Sequence, residues 1–220
     1  MQKESRKWTI ITGILFLVFL LFTVMVKTID VQPVGPEESF VGFAGINQFV
    51  FELFGVNLFW YSITDWLGAA AIAAALCFAV LGLSQLIIRR DIRKVDARVL
   101  LLGSFYLIIV VFYFFFERVI INYRPVLLSG SLEASFPSSH TMIVNCIMVT
   151  AMLQFHHYLR HRKIWLWAAD SISVLMIIVT VAGRLVSGVH WFTDIVGGVL
   201  LSAALISLYC TALKYLGESK

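Results

Sequence analysis

Long apolar runs alternate with short polar gaps along the whole chain. The runs cover residues 8–26, 61–88, 99–116, 141–158, 164–182 and 191–213. Each is close to or above the roughly 20 helical residues that cross a hydrocarbon core of about 30 Å. A helix also satisfies its own backbone hydrogen bonds where water is absent. Six spanning helices are therefore expected, forming one all-α membrane bundle over residues 1–220 with both termini on the same side. Between the first two runs, Asp30-Val31-Gln32-Pro33-Val34-Gly35-Pro36 reads as extended loop. Residues 46–60 mix Phe, Leu and Val with scattered polar positions, the pattern of an interfacial amphipathic helix. No internal repeat or long linker interrupts the series.

Composition sharpens this picture. Hydrophobic residues make up 60% of the chain and charged residues 14%, far from the balance of a soluble domain. The formal charge of +4 does not point to nucleic acid, because most of the basic residues sit between apolar runs, where they set orientation. Thirteen of the 17 Lys and Arg residues fall before the first run, in 89–98, in 160–163 or in the tail. Lys27, Arg118, Arg124 and Arg184 fall on the opposite side. The positive-inside rule places the thirteen in the cytoplasm. The basic start, Lys3, Arg6 and Lys7, precedes an apolar run too long for a signal peptide, and Lys27-Thr28-Ile29-Asp30 offers no small-residue cleavage site. It reads as a retained first helix. Cys77, Cys146 and Cys210 lie inside apolar runs without metal-binding spacing and read as small buried apolar residues.

Three polar clusters then stand out, all at the outer edge of the expected bundle. They are Arg124-Pro125, Pro137-Ser138-Ser139-His140, and Gly183-Arg184 followed by His190 and Asp194. Charged groups at that depth are costly unless they pair with one another or with a ligand. Phosphoryl transfer through a phosphohistidine suits this set. Arginine forks match phosphate oxygens and keep their charge, and the helix start after Ser138 and Ser139 favours an anion. His190 and Asp194 are four residues apart, so on a helix the carboxylate can fix the ring tautomer of a nucleophilic His190. His140 is then left to protonate the departing oxygen. Two arginines and helix ends supply the positive charge, so no metal or other cofactor is called for.

Arg-Pro, Pro-Ser-x-His and Arg-x5-His-x3-Asp, in that order, resemble the three-part signature of the type-2 phosphatidic acid phosphatase superfamily, with the motifs spanning residues 117–194. The resemblance implies a membrane lipid phosphatase with His190 as nucleophile, Asp194 as its partner, His140 as general acid, and Arg124, Ser138, Ser139 and Arg184 around the phosphate. Three positions depart from the family pattern. Glu117 stands where the family has a lysine, with Arg118 beside it as a substitute in a shifted register. Ser139 replaces a glycine, and Gly183 replaces a serine. The substrates implied are undecaprenyl diphosphate first, then phosphatidylglycerol phosphate and phosphatidic acid. Alternatives are a lipid phosphotransferase and a lipid-binding protein with a degenerate site; haloperoxidase chemistry belongs to soluble relatives.

The remaining polar residues read as structural. His156, His157 and His161 share a solvated basic loop with Arg160, Arg162 and Lys163. Asp65 and Asp170 lie near helix ends, where a structural role is expected. The aromatic run 111–116 is expected to face lipid or to pack. Nothing in the residues fixes an oligomeric state.

Overall fold

A computed structural model describes residues 2–218, with side chains described for residues 4–217. The side chain of Lys3 and the whole of Lys220, both counted above on the cytoplasmic side, lie outside the described residues. The chain forms α1 (Gln2–Thr28), α2 (Ala44–Phe54), α3 (Leu58–Arg89), α4 (Ala97–Arg118), α5 (Ser139–Tyr158), α6 (Lys163–Val186) and α7 (Phe192–Glu218). Two short 3₁₀ turns, Pro36–Glu38 and Ile92–Lys94, sit in the connections. The all-helical expectation holds among the described residues.

Five of these helices, α1, α3, α4, α6 and α7, are long and apolar enough to cross a membrane. The expected six are not all recovered on that criterion. The exception is α5, 20 residues long, which carries His140, Asn145, Gln154, His156 and His157 among its apolar positions. Its place explains its composition. It packs against α3, α4, α6 and α7, so its buried face meets protein rather than lipid. Asn145 donates to Ser202 Oγ at 3.1 Å, and Gln154 donates to the Tyr209 hydroxyl. Across the bundle α1 lies along α7, where Thr12 Oγ1 approaches Ser207 Oγ at 2.8 Å and Thr211 Oγ1 at 3.0 Å. Such interhelical hydrogen bonds join helices where the hydrophobic effect cannot drive association. Large apolar side chains such as Leu20, Trp66, Val80, Leu107, Ile164 and Trp167 face outward, as a lipid-facing surface requires.

The amphipathic helix expected over 46–60 is instead α2 alone. Gly55, at φ +63°, breaks the helix, and the Asn57 side chain caps a new one by accepting from the amides of Phe59 and Trp60. This break has a purpose in packing. The Asn57 amide donates to the Ser187 carbonyl at 3.0 Å, and Gly188, at φ +65°, lies so close under the Gly55 carbonyl that a Cβ would overlap it. The loop before α7 is thereby pinned to the start of α3. The N-terminus of α7 is held from the other side by α2, where Asn47 Oδ1 accepts from the Thr193 amide at 3.1 Å and Phe51 packs on the Trp191 ring.

Candidate active site

The connection from α4 to α5 folds back on itself. Tyr123 and Ala134 form an isolated antiparallel bridge, with the Arg124 amide donating to Glu133 O and the Ser135 amide to Asn122 O. This presents Arg124, Asn122 and Ser135 to the start of α7. Trp191 locks the arrangement through its indole N–H, which donates to the Tyr123 carbonyl at 2.7 Å.

Asp194 is wholly buried in the first turn of α7, and each of its oxygens is occupied. Oδ2 accepts from the Trp191 amide at 2.9 Å, a back-bond that caps the helix, and also from the Ser135 hydroxyl. Oδ1 accepts from Asn122 Nδ2 at 3.3 Å. The expected His190–Asp194 pair does share one side, but Nδ1 and Oδ2 are 3.7 Å apart. Ser135 closes the gap, its oxygen standing 3.0 Å from His190 Nδ1. Because that hydroxyl donates to Asp194, it accepts from His190, so the ring proton is on Nδ1. The lone pair is then on Nε2, which faces Arg124 Nη1 at 3.2 Å. Burial first, and then the charges of Arg124 and Arg184, push the His190 pKa well below the ordinary histidine value. The charged form of the ring is disfavoured there, which leaves the Nε2 lone pair available.

Arg184, at the end of α6, is fully buried. It donates to Asp65 Oδ1 from Nη2, lies 4.9 Å from the Tyr61 ring centroid, and leaves Nε and Nη1 buried without a partner. His140, on the first turn of α5, meets the same Asp65 oxygen at 3.1 Å. Arg124 pairs with Glu133 through Nε at 3.1 Å. Asp65, Ser139, His140, Arg124 and Glu117 together form the polar head of a cavity of about 780 Å³. Its remainder runs between α3, α4 and α5 past Ile72, Ala75, Ile109 and Ile143. His190 lines a narrow adjoining crevice with Ser135, Phe136 and Tyr113.

Two of the expected phosphate contacts sit otherwise. The Ser138 amide donates to the Asp194 carbonyl at 2.9 Å, and its buried hydroxyl accepts from Thr141 at 3.1 Å. Ser138 therefore joins α5 to α7. Arg118 is exposed at the end of α4 and is not brought to the cluster, whereas Glu117 is.

Residues 114–218 match the model of the PAP2 superfamily. This segment belongs to that superfamily. No curated protein matches the chain. The solved structure of a transmembrane PAP2-type phosphatidylglycerolphosphate phosphatase from Bacillus subtilis superposes with a TM-score of 0.58 at 19% identity, covering 93% of this chain and 96% of that one. The PAP2 fold is thus shared over nearly the full length. With five apolar helices of spanning length, the chain is a multi-pass membrane protein.

Ser135 and Asn122 escape a reading of the sequence. Both lie in the PAP2 segment, but neither sits in the three motifs, and an isolated Ser or Asn in a loop carries no spacing that marks it. Gly183, by contrast, has a packing reason. A Cβ there would stand 2.6 Å from Thr64 Cγ2 and 3.2 Å from the Trp60 ring, so α3 and α6 approach too closely for the serine of the family pattern. Away from the site, His156 pairs with Asp170 at 2.8 Å and Arg160 donates to His161.

Proposed function

We propose that this chain is an integral membrane phosphatase that removes phosphate from a lipid through a phosphohistidine on His190. The observation that carries the reading is the His190–Ser135–Asp194 chain, which leaves the Nε2 lone pair facing Arg124 at the head of an apolar cavity. A phosphate group arriving there takes the guanidinium of Arg124 and the unpartnered Nε and Nη1 of Arg184. It frees the His190 lone pair to attack phosphorus in line with the leaving oxygen. Asp194, through Ser135, stabilises the positive ring that forms. His140 protonates the leaving oxygen, then takes a proton from the water that attacks the phosphohistidine. Ser139 and the N-terminal turn of α5 add donors to the developing negative charge.

The lipid's tails lie in the cavity between α3, α4 and α5, whose length of about 15 Å from Asp65 to Ala75 follows from the rise per helical residue. On this reading α5 is a sixth span, both termini are cytoplasmic, and the site opens on the outer face. Undecaprenyl diphosphate, phosphatidylglycerol phosphate and phosphatidic acid are the substrates to try. The likeness to a phosphatidylglycerolphosphate phosphatase favours including the second. The test is phosphate release from these three by the purified, detergent-solubilised protein, with His190→Ala as control. Release that the substitution abolishes is expected; no release from any of the three overturns the proposal. A ³²P label that survives on His190→Ala protein overturns the covalent step alone.

A further inference from the structure

Asp65 lies on α3, outside the PAP2 segment and outside every motif the sequence displays. One of its oxygens serves two groups, His140 Nε2 at 3.1 Å and Arg184 Nη2. The geometry fixes which edge of the His140 ring faces α3. Gly68 sits one turn beyond Asp65, and a Cβ there would stand 3.0 Å from His140 Cδ2 and 3.5 Å from Nε2. The Nε2–Cδ2 edge is therefore laid against α3, in a place where a side chain at 68 would crowd the ring. The opposite edge carries Nδ1, which is buried and has no partner. Arg184 is in a similar state, held at Nη2 with Nε and Nη1 unpartnered. One carboxylate on α3 thus meets two groups from two other helices, and each of those groups keeps buried nitrogen without a partner.

We propose that Asp65 is a positioning residue that accepts the Nε2–H of His140, fixes its tautomer and reserves Nδ1 for proton transfer. The inference rests on the phosphatase reading above. In the first step His190 Nε2 bonds to phosphorus, the P–O bond to the lipid breaks, and the leaving oxygen takes the proton from Nδ1 of the His140 imidazolium. The ring is left neutral with Nε2–H still on Asp65. In the second step Nδ1 takes a proton from water as the oxygen of that water bonds to phosphorus and the P–N bond breaks, releasing inorganic phosphate. Asp65 keeps its charge throughout and stabilises the imidazolium, as an orienting carboxylate does for a catalytic histidine. His190 and His140 are then each served by an aspartate of their own, Asp194 through Ser135 and Asp65 directly.

A general acid matters in proportion to the basicity of the leaving group, which separates this role from a purely structural one. The experiment compares Asp65→Asn with wild type on a lipid alkyl phosphate and on an aryl phosphate, p-nitrophenyl phosphate, in the same detergent. The expected result, read in kcat/KM because it reports the step in which the leaving group departs, is a loss of about 10²-fold on the alkyl substrate and a loss under about 3-fold on the aryl one. Asp65→Glu should recover part of the loss, and Asp65→Asn should add nothing to His140→Ala. Equal losses on both substrates, or additive losses with His140→Ala, overturn the assignment. A second arm needs no turnover. In ¹⁵N-histidine-labelled protein at a pH where His140 is neutral, its ring should be protonated on Nε2, and Asp65→Asn should shift that signal. A wild-type ring protonated on Nδ1 overturns the assignment whatever the enzyme assays give. If wild type turns over neither substrate, the phosphatase reading fails, and the tautomer alone decides whether Asp65 orients His140.

Discussion

Ser135 joins two groups that cannot reach each other. His190 Nδ1 and Asp194 Oδ2 stand 3.7 Å apart, beyond a good hydrogen bond, and the hydroxyl between them bonds to both; in the proposed mechanism it carries both the tautomer and the charge stabilisation. Ser135→Ala keeps the fold of the loop, whose backbone bonds to Asn122 and Glu133 do not involve the side chain. It should lower kcat on the order of 10²-fold with KM little changed, and it should not add to the loss in Asp194→Asn. Independent, additive losses in the double variant would show that the serine acts elsewhere. The electrostatics of His190 give a second test. Since burial and two arginines disfavour its charged form, a ¹⁵N titration should find it neutral well below the ordinary histidine value of about 6.5. Removing one of those positive charges by Arg124→Gln should move the midpoint upward. An unchanged midpoint would mean that Arg124 does not sense the ring.

Helix packing decides which parts of the site survive substitution. Gly183 lets α6 approach α3, and a serine there places Cβ within 2.6 Å of Thr64 Cγ2. Overpacking of this kind costs about 1–3 kcal/mol. Gly183→Ser should therefore lower the thermal midpoint, and removing the opposing methyl by Thr64→Ser should restore it, because the Thr64 hydroxyl bonds its own helix. The cavity offers a sharper readout. Ala75 lines it about ten residues from Asp65, so Ala75→Phe should raise KM by about 10-fold for a long-tailed lipid phosphate, the order expected from losing burial of one or two methylenes. A phosphate ester with a two-carbon tail should be unaffected; equal effects on both would place the tails elsewhere. The relation between motif and element is visible here too. Spacing along one chain segment points to His190 and Asp194, although α7 begins only at Phe192 and His190 stands just before it. Ser135, Asn122 and Asp65 come from a folded-back loop and from α3, and no local pattern announces contacts across 59 to 119 residues of sequence. The boundary between α2 and α3 is hidden for a different reason. Phe, Leu and Val continue through Gly55 and Asn57, so apolar content masks a break that backbone conformation and capping create.

At the scale of the whole molecule, charge sets the expected orientation. The ends of α3 and α4 around 89–98 and the ends of α5 and α6 around 160–163 carry eight of the 17 Lys and Arg residues, while the loop from α4 to α5 carries Arg124 alone of that kind. The apolar runs make the bundle legible, because length and hydropathy are properties of a segment taken alone. The central helix escapes the same criterion, because a helix surrounded by protein is free to carry Asn145, Thr150 and Gln154. What neither property reveals is the side on which the site opens, and there the positive-inside rule makes a commitment. In a variant with Cys77, Cys146 and Cys210 replaced by alanine, a cysteine at exposed Ser131, in the loop that presents Arg124, should react with a membrane-impermeant maleimide in intact cells. A cysteine at exposed Arg93, in the turn between α3 and α4, should react only after permeabilisation. The reverse pattern would turn the molecule over, placing His190 and the lipid phosphate it attacks in the cytoplasmic leaflet. The two arginines of the site would then be ordinary members of the inside-positive set, rather than charges kept against the topology signal because a phosphate requires them.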